Sequence, residues 1–401
     1  MLICVGTGLA SGMPLYLLLQ LLPAWFRLEG VSLSAIGFFT LVTYPYSLKF
    51  LWSPVLERYG LPFLGRRRGW MIMTQIGLVF SIAALGIWSP SDGLVAITVV
   101  ALAVSIFSAT QDIVLDAYRR EILETDAELA LGNTVHVQAY RIAGLIPGSL
   151  GLILVDLVTW QQNFLIMAGF MAAAILLTLS ISEPPKPGRV PDSILDAVVT
   201  PFREFFTRRS LSGALAVLAF IFLYKLGDNM ATALSTAFYI DLGFTPREIG
   251  VIAKNAALWP AIVGGILGAL IIVKIGINKA LWIFGVVQVL TILGFVWLSE
   301  AGVDPVVLAV VISAEYLGVG LGTAASVAYI ARETSKLAVA TQFAMLTALA
   351  SLPRVLASST SGWIVEQIGW ADFFYFSALL ALPGMILLFW VAPWRAPVPD
   401  G

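Results

Sequence analysis

Charge is what this sequence has least of. Only 12% of its 401 residues are Asp, Glu, Lys or Arg, while 59% are hydrophobic. A water-soluble domain must cover its surface with polar groups, so this composition excludes one. There is a single cysteine, Cys4, and a single histidine, His136. An internal disulfide and a Cys-based metal site are therefore excluded, and no nucleophile–base pair or metal cluster of an embedded enzyme is apparent. The 23 basic residues balance 24 acids without forming a tract interleaved with aromatics, so nothing points to nucleic acid. Nothing implies a cofactor. The opening apolar run is not a cleavable signal, because many comparable segments follow it. With no basic residue ahead of that run, the expectation is that the chain's start lacks a few residues.

What is present is apolar sequence in span-sized pieces. A helix needs about 20 residues to cross a bilayer. Twelve such segments can be marked, at 2–26, 34–56, 69–88, 94–118, 130–156, 161–182, 211–240, 246–272, 279–299, 305–331, 338–366 and 371–393. The one break in composition is 183–210, which opens Glu-Pro-Pro-Lys-Pro-Gly-Arg and divides the spans six and six. The expected architecture is an all-α polytopic membrane protein: a six-helix bundle over 1–182, a cytoplasmic linker over 183–210 and a second bundle over 211–401.

Basic residues set the expected orientation. With the N-terminus in the cytoplasm, sixteen of the 23 fall in cytoplasmic loops: Arg58, Arg66, Arg67, Arg68, Arg119, Arg120, Lys186, Arg189, Arg203, Arg208, Arg209, Lys274, Lys279, Arg332, Lys336 and Arg395. Only Arg27 and Arg247 fall outside, and both termini are then cytoplasmic. The halves also echo each other. Gly30-(x5)-Ile36-Gly37 has the spacing of Gly243-(x5)-Ile249-Gly250, Ala117-Tyr118 matches Ala328-Tyr329, and Asp156-(x3)-Trp160-(x3)-Phe164 matches Glu366-(x3)-Trp370-(x3)-Phe374, at offsets of 213, 211 and 210. A nearly constant offset supports a duplicated six-span unit.

An ionisable group within a span is costly in lipid and normally faces a partner or a water-filled cavity. Setting aside His136 and the residues at span ends (Asp156, Arg247, Glu248, Lys279, Glu366 and Asp372), nine lie within the spans: Lys49, Asp112, Asp116, Arg141, Lys225, Asp228, Lys254, Glu315 and Arg354. They occupy spans 2, 4, 5, 7, 8, 10 and 11, leaving 3, 6, 9 and 12 free of them. From the rise per residue, Arg141, Lys225, Asp228, Glu315 and Arg354 are expected near the bilayer centre and Asp112 in its cytoplasmic third. Lys225 and Asp228, three apart, can share a helix face; Asp112 has Arg141 as a possible partner on the next span. Two readings stand side by side. In one, Asp112, Asp228 and Glu315 relay a proton while Arg141, Lys225, Arg354, Lys49 and Lys254 hold an anionic or zwitterionic solute. In the other, they are static pairs that fix helix packing. For Lys49 and Lys254 the two readings weigh equally. Asp116, beside Arg119 and Arg120, reads as a gate or loop anchor. Gly6, Gly8 and Gly12 read as a packing stripe, Pro147-Gly148 and Pro353 as kinks, and His136 as a structural histidine. Tyr44, Tyr46, Tyr140 and Trp259 can stack on sugar rings if they face a cavity.

The loop Leu56-Glu57-Arg58-Tyr59 through Gly65-Arg66-Arg67-Arg68-Gly69-Trp70 resembles the loop signature of the major facilitator superfamily, in a form similar to AmpG-type muropeptide permeases. The same resemblance runs through Gly8-Leu-Ala-Ser-Gly12-Met-Pro14-Leu, Ile36-Gly37-Phe-Phe, Lys49-Phe-Leu-Trp-Ser-Pro54, Gln111-Asp112-(x3)-Asp116-Ala117, Tyr224-Lys225-Leu-Gly-Asp228 and Ala340-Thr-Gln-Phe-Ala344. Glu57 stands where an aspartate is usual. The resemblance implies two pseudo-symmetric six-helix halves, with every third helix a lipid-facing support. It also implies a monomeric inner-membrane carrier that imports anhydromuropeptides with protons for cell-wall recycling in a Gram-negative cell. Glu57, Arg58, Arg66, Arg67, Arg68, Asp116 and Arg119 would form its gate.

The fold class alone leaves the cargo open. An acetyl-CoA or acyl-CoA carrier, or one for another amphiphilic anion, is the alternative; the mixed signs of the in-span charges favour a zwitterion-like solute. An embedded enzyme lacks its reactive groups here, and duplicated halves without a filter-like loop argue against a channel.

Overall fold

The structure, a computed structural model, describes residues 1–61, 64–123, 125–184, 205–208, 210–334 and 339–394; within these, the side chains of 50, 54, 57, 58, 126, 127, 129, 130, 339–345, 347 and 348 fall outside the description. The described residues are nearly all helical and contain no strand. In a bilayer the backbone must satisfy its own hydrogen bonds within each segment, which helices do. Among the described residues, ten helices are long and apolar enough to cross a membrane. These are α1 (Leu2–Leu28), α3 (Arg66–Ile87), α4 (Pro90–Ile122), α5 (126–154), α6 (Trp160–Ser180), α7 (Leu211–Leu242), α8 (Pro246–Ile275), α9 (Ile277–Ala301), α10 (Pro305–Glu333) and the long helix Val339–Val391. That last helix breaks at Gly369, whose φ of 80° is open to glycine, giving α11 (339–368) and α12 (370–391). The second span, α2 (33–58), completes the twelve. It is assembled from Leu33–Phe39, Tyr44–Leu48 and Ser53–Arg58 across two 3-10 turns, with Pro45 and Pro54 opening the later pieces.

Local chemistry sets many of the ends. Ser32 accepts from the Ala35 amide, Thr159 and Gln162 form a capping box, and Asp304 accepts from the amides of Val306 and Val307. Irregularities fall at informative points. The backbone of α7 leaves helical geometry at Lys225 (φ −103°, ψ 3°) and again at Leu234. Wide π turns interrupt α1 at Leu17–Leu21 and α5 at Ile146–Leu150, the latter holding the expected Pro147 kink.

The chain forms two compact units, Met1–Val190 with Phe244–Asn255, and Pro191–Gly243 with Ala256–Gly401. In the first, α1 packs along α5, and α3 packs between α4 and α6. A Cβ on Gly8 or Gly12 would strike the backbone of α5 at His136 and Tyr140, so the stripe serves packing, as its spacing predicts. In the second, α7 packs on α11 and α12, and α9 on α10 and α12. Gly227 and Gly384 are the close-approach points of α7 and α12. Large apolar side chains point outward throughout, Phe80, Trp259, Leu270, Trp390 and Phe389 among them, as lipid-facing surfaces require.

Candidate functional site

Each unit buries a carboxylate beside a lysine, and the two arrangements differ. In the first unit, Asp112 of α4 is 8% exposed. Ser11 Oγ of α1 donates to its Oδ1 at 2.5 Å, and Lys49 Nζ of α2 lies 3.4 Å from its Oδ2. The cation that Asp112 finds is thus Lys49, 63 positions away on α2, rather than the Arg141 suggested by the sequence. Lys49 opens the 3-10 turn Lys49–Leu51 between the pieces of α2, and its ammonium reaches Asp112 on α4. Around this pair, Gln111 Nε2 donates to the Ala10 carbonyl (2.9 Å) and Trp52 Nε1 to Thr110 Oγ1 (3.1 Å), so α1, α2 and α4 meet at one polar layer. Thr7 Oγ1 lies 3.2 Å from His136 Nδ1, which makes the lone histidine a satisfied packing residue.

In the second unit, Lys225 stands at the break in α7. Its Nζ pairs with Asp228 Oδ2 at 2.6 Å and donates to Gln288 Oε1 of α9 at 2.9 Å. The shared face expected of Lys225 and Asp228 is realised. Glu315 of α10, fully buried, sits beside Asp228 and Thr291. Neither of its carboxyl oxygens, nor Asp228 Oδ1, accepts a hydrogen bond among the described residues. One lysine thus faces two carboxyl groups, and three of their four oxygens have no donor. An unpartnered buried polar atom carries a free-energy penalty of about 1–3 kcal/mol, more if charged.

The other candidate residues scatter around these centres. Lys254 is buried on α8, close to Gly148 and hence to Gln20. Tyr140 is half-buried and tilts against Tyr16 with ring centroids 5.6 Å apart, and Arg141 follows it on α5, also half-buried. Arg354 is exposed on α11, within electrostatic range of Tyr316. Tyr46 lies near Asp112, and Trp259 is exposed.

The residues expected to form a gate make a set of ion pairs in the first unit. Arg119 pairs with Asp116 at 2.9 Å and donates to Asn133 Oδ1 at 2.8 Å; Asp116 itself is half exposed. Arg66 and Arg67 both reach Glu121 Oε1 at 2.7 Å. Glu183 spans the first turn of α3, accepting from the amides of Arg67 (2.7 Å) and Arg68 (3.0 Å), while Arg68 donates to the carbonyls of Thr178 and Leu179 at the end of α6. The side chains of Glu57 and Arg58 lie outside the described residues. Sequence reasoning missed Ser11, Gln288, Glu121 and Glu183. Of these, only Glu183 left a signal, as an acid just beyond a span and ahead of Pro-Pro.

Comparison with known proteins agrees with this architecture. Residues 4–324 match the model of the Major Facilitator Superfamily. The chain is 48% identical over 98% of its length to an uncharacterised protein of Haemophilus influenzae, covering 94% of that protein. It is 40% identical over 95% of its length to the anhydromuropeptide permease of Escherichia coli K12, covering 77% of that protein. Among solved structures, the nucleoside transporter NupG superposes with a TM-score of 0.76 at 14% identity, over 96% of this chain and 98% of that one. A D-xylose–proton symporter superposes with a TM-score of 0.73 at 11% identity, over 98% and 97%.

Proposed function

The chain belongs to the Major Facilitator Superfamily, and we propose that it imports anhydromuropeptides across the bacterial inner membrane by proton-coupled alternating access. The observation that carries the cargo is the 40% identity to a permease of that name along nearly the whole chain. The mixed charges of the buried layers suit it, since a muropeptide presents peptide carboxylates, ammonium groups and two sugars. Lys225, Lys49, Lys254, Arg141 and Arg354 supply cations for the carboxylates, and Tyr140 an aromatic face. Both termini are placed in the cytoplasm by the distribution of basic residues. The six-helix halves 1–182 and 211–401, joined by 183–210, rock about the site, and a single chain is the working unit.

The proton belongs with Asp228 and Glu315. Two adjacent carboxyl groups beside one lysine leave a negative charge without a partner, and the pair is best satisfied when it holds one proton. Carried on Glu315, that proton is donated to Asp228 Oδ1, and Lys225 neutralises the remaining charge. A substrate carboxylate that draws Lys225 away from Asp228 then changes the proton affinity of the pair, which is the coupling. Asp112, already held by Ser11 and Lys49, is the second candidate. Asp116, Arg119 and the Arg66–Arg68 clamp gate the cytoplasmic mouth, together with Glu57 and Arg58. The test is uptake of labelled anhydromuropeptide into proteoliposomes under an imposed pH gradient, with an acyl-CoA as competitor. Accumulation that saturates, collapses with a protonophore and resists the acyl-CoA is the expected result. Equal competition by the acyl-CoA overturns the cargo.

A further inference from the structure

The two units treat the same helix end differently. In the first unit, Gly65 (φ 95°) precedes α3, and the carboxylate of Glu183 occupies the amides of Arg67 and Arg68. In the second, Gly276 (φ 81°) precedes α9 at an offset of 211. The same offset takes Arg67 to Asn278, Arg68 to Lys279 and Glu121 to Arg332, and the offset of 210 that relates the last spans takes Glu183 to Pro393, next to Trp394. These two carboxylates of the first unit are therefore replaced, one by a cation and one by a proline beside an indole.

A cavity of about 310 Å³ lies at this place, lined by Gly276, Ile277, Asn278, Lys279, Arg332 and Trp394. Arg332 Nη1 donates to Asn278 Oδ1 at 2.6 Å, and its Nε lies 3.5 Å from Glu333, which turns that acid onto the arginine and away from the lining. Among the described residues the lining holds two cations, Lys279 and the Glu333-paired Arg332, and no acid. Amides at a helix start favour an anion, and in the first unit the matching amides hold one. Trp394 of the lining follows the end of α12, whose last turn carries Phe389 and Trp390; the three are 47%, 66% and 70% exposed. Exposed aromatics of this kind mark the depth of the lipid headgroups.

We propose that this cavity binds the phosphate of an anionic phospholipid headgroup. The phosphate takes the place on α9 that Glu183 takes on α3, with Lys279 and Arg332 as its counter-charges and the exposed aromatics along its acyl chains. The shared chemistry would also admit a free phosphate, but the aromatic surface beside the cavity favours the lipid.

The experiment is binding of tail-labelled phosphatidylglycerol to the purified full-length protein in detergent, with inorganic phosphate as competitor. Saturable binding that millimolar phosphate leaves in place is expected. Lys279→Glu should weaken it by about tenfold or more, the scale of reversing one charge at a headgroup. Trp394→Glu, which puts a carboxylate into the lining, should weaken it comparably while leaving both cations in place. Lys274→Glu, a reversal in the last turn of α8 but outside the cavity lining, should change it little. Each variant's melting temperature without lipid separates lost binding from lost fold. Equal binding by wild type, Lys279→Glu and Trp394→Glu overturns the site. Equal loss with Lys274→Glu reduces it to diffuse surface attraction, and displacement by inorganic phosphate assigns it to a free anion instead.

Discussion

The acids of the two units have the same chemistry and opposite states of satisfaction. Asp112 has a hydroxyl donor on one oxygen and a lysine near the other. Among the described residues, Asp228 pairs with Lys225, Glu315 beside it pairs with no cation, and three of their four oxygens accept no hydrogen bond. A matched pair is a packing device with little reason to change state. A mismatched trio has a proton-shaped deficiency, and a group that must gain and lose a proton in a working cycle needs one. On the proposed mechanism the difference divides labour between the units: Asp112 would tie α1, α2 and α4 together, and the second unit would hold the titrating centre.

The most damaging way to break this comparison is Glu315→Gln. The amide imitates a permanently protonated acid, so gradient-driven accumulation should fall to the level seen with a protonophore, while exchange of labelled for unlabelled substrate across vesicles persists. Asp112→Asn should retain part of its accumulation. If Asp112→Asn abolishes coupling and Glu315→Gln does not, the division of labour is reversed.

Next in size is Lys225→Met. It strands Asp228 in a buried site, and removing one partner of a buried pair destabilises by roughly 3–5 kcal/mol. Melting temperature in detergent measures the loss, and Lys225→Met with Asp228→Asn should recover most of it, because the double variant leaves no charge behind. A double variant no more stable than the single one would mean that Lys225 acts through packing of its stem. Lys49→Met sharpens the contrast. The Lys49 side chain is 32% exposed and its contact is 3.4 Å long, so screening limits the loss to about 1 kcal/mol or less. Asp112 keeps Ser11. A loss from Lys49→Met matching that from Lys225→Met would erase the distinction between the units.

Much of the fold was legible before the structure, because crossing lipid imposes a length and a composition that single segments display. Twelve apolar runs, the break at 183–210 and the exclusion of charge from spans 3, 6, 9 and 12 all follow from that constraint. The pairing of charges was not legible. Lys49 and Asp112 are 63 positions apart, and the contact is made from a 3-10 turn inside α2 that hydropathy does not register. Lys225 and Asp228 were readable because three residues on one helix fix their own geometry. Ser11 was hidden among glycines that read as packing, and Glu121 looked like an ordinary charge at a helix end. Gln288 sits in a span without ionisable groups, where no pattern singles out an amide.

The smallest expected effect concerns the helix ends, where the units differ again. Glu183 holds two amides of α3, so its charge acts on the helix dipole at short range. Glu183→Gln keeps one acceptor and removes the charge, which should destabilise by about 0.5 kcal/mol. The shift in melting temperature should shrink as salt rises, since such interactions near the surface are screened. Trp394→Glu in the cavity at the start of α9 should stabilise the protein by a similar amount in lipid-free detergent, because a carboxylate then faces the cations of Lys279 and Arg332. If both substitutions destabilise, the two helix ends are not equivalent. Opposite signs would show that the second unit forgoes a carboxylate that the first unit uses, leaving its helix end open to an anion from outside the chain.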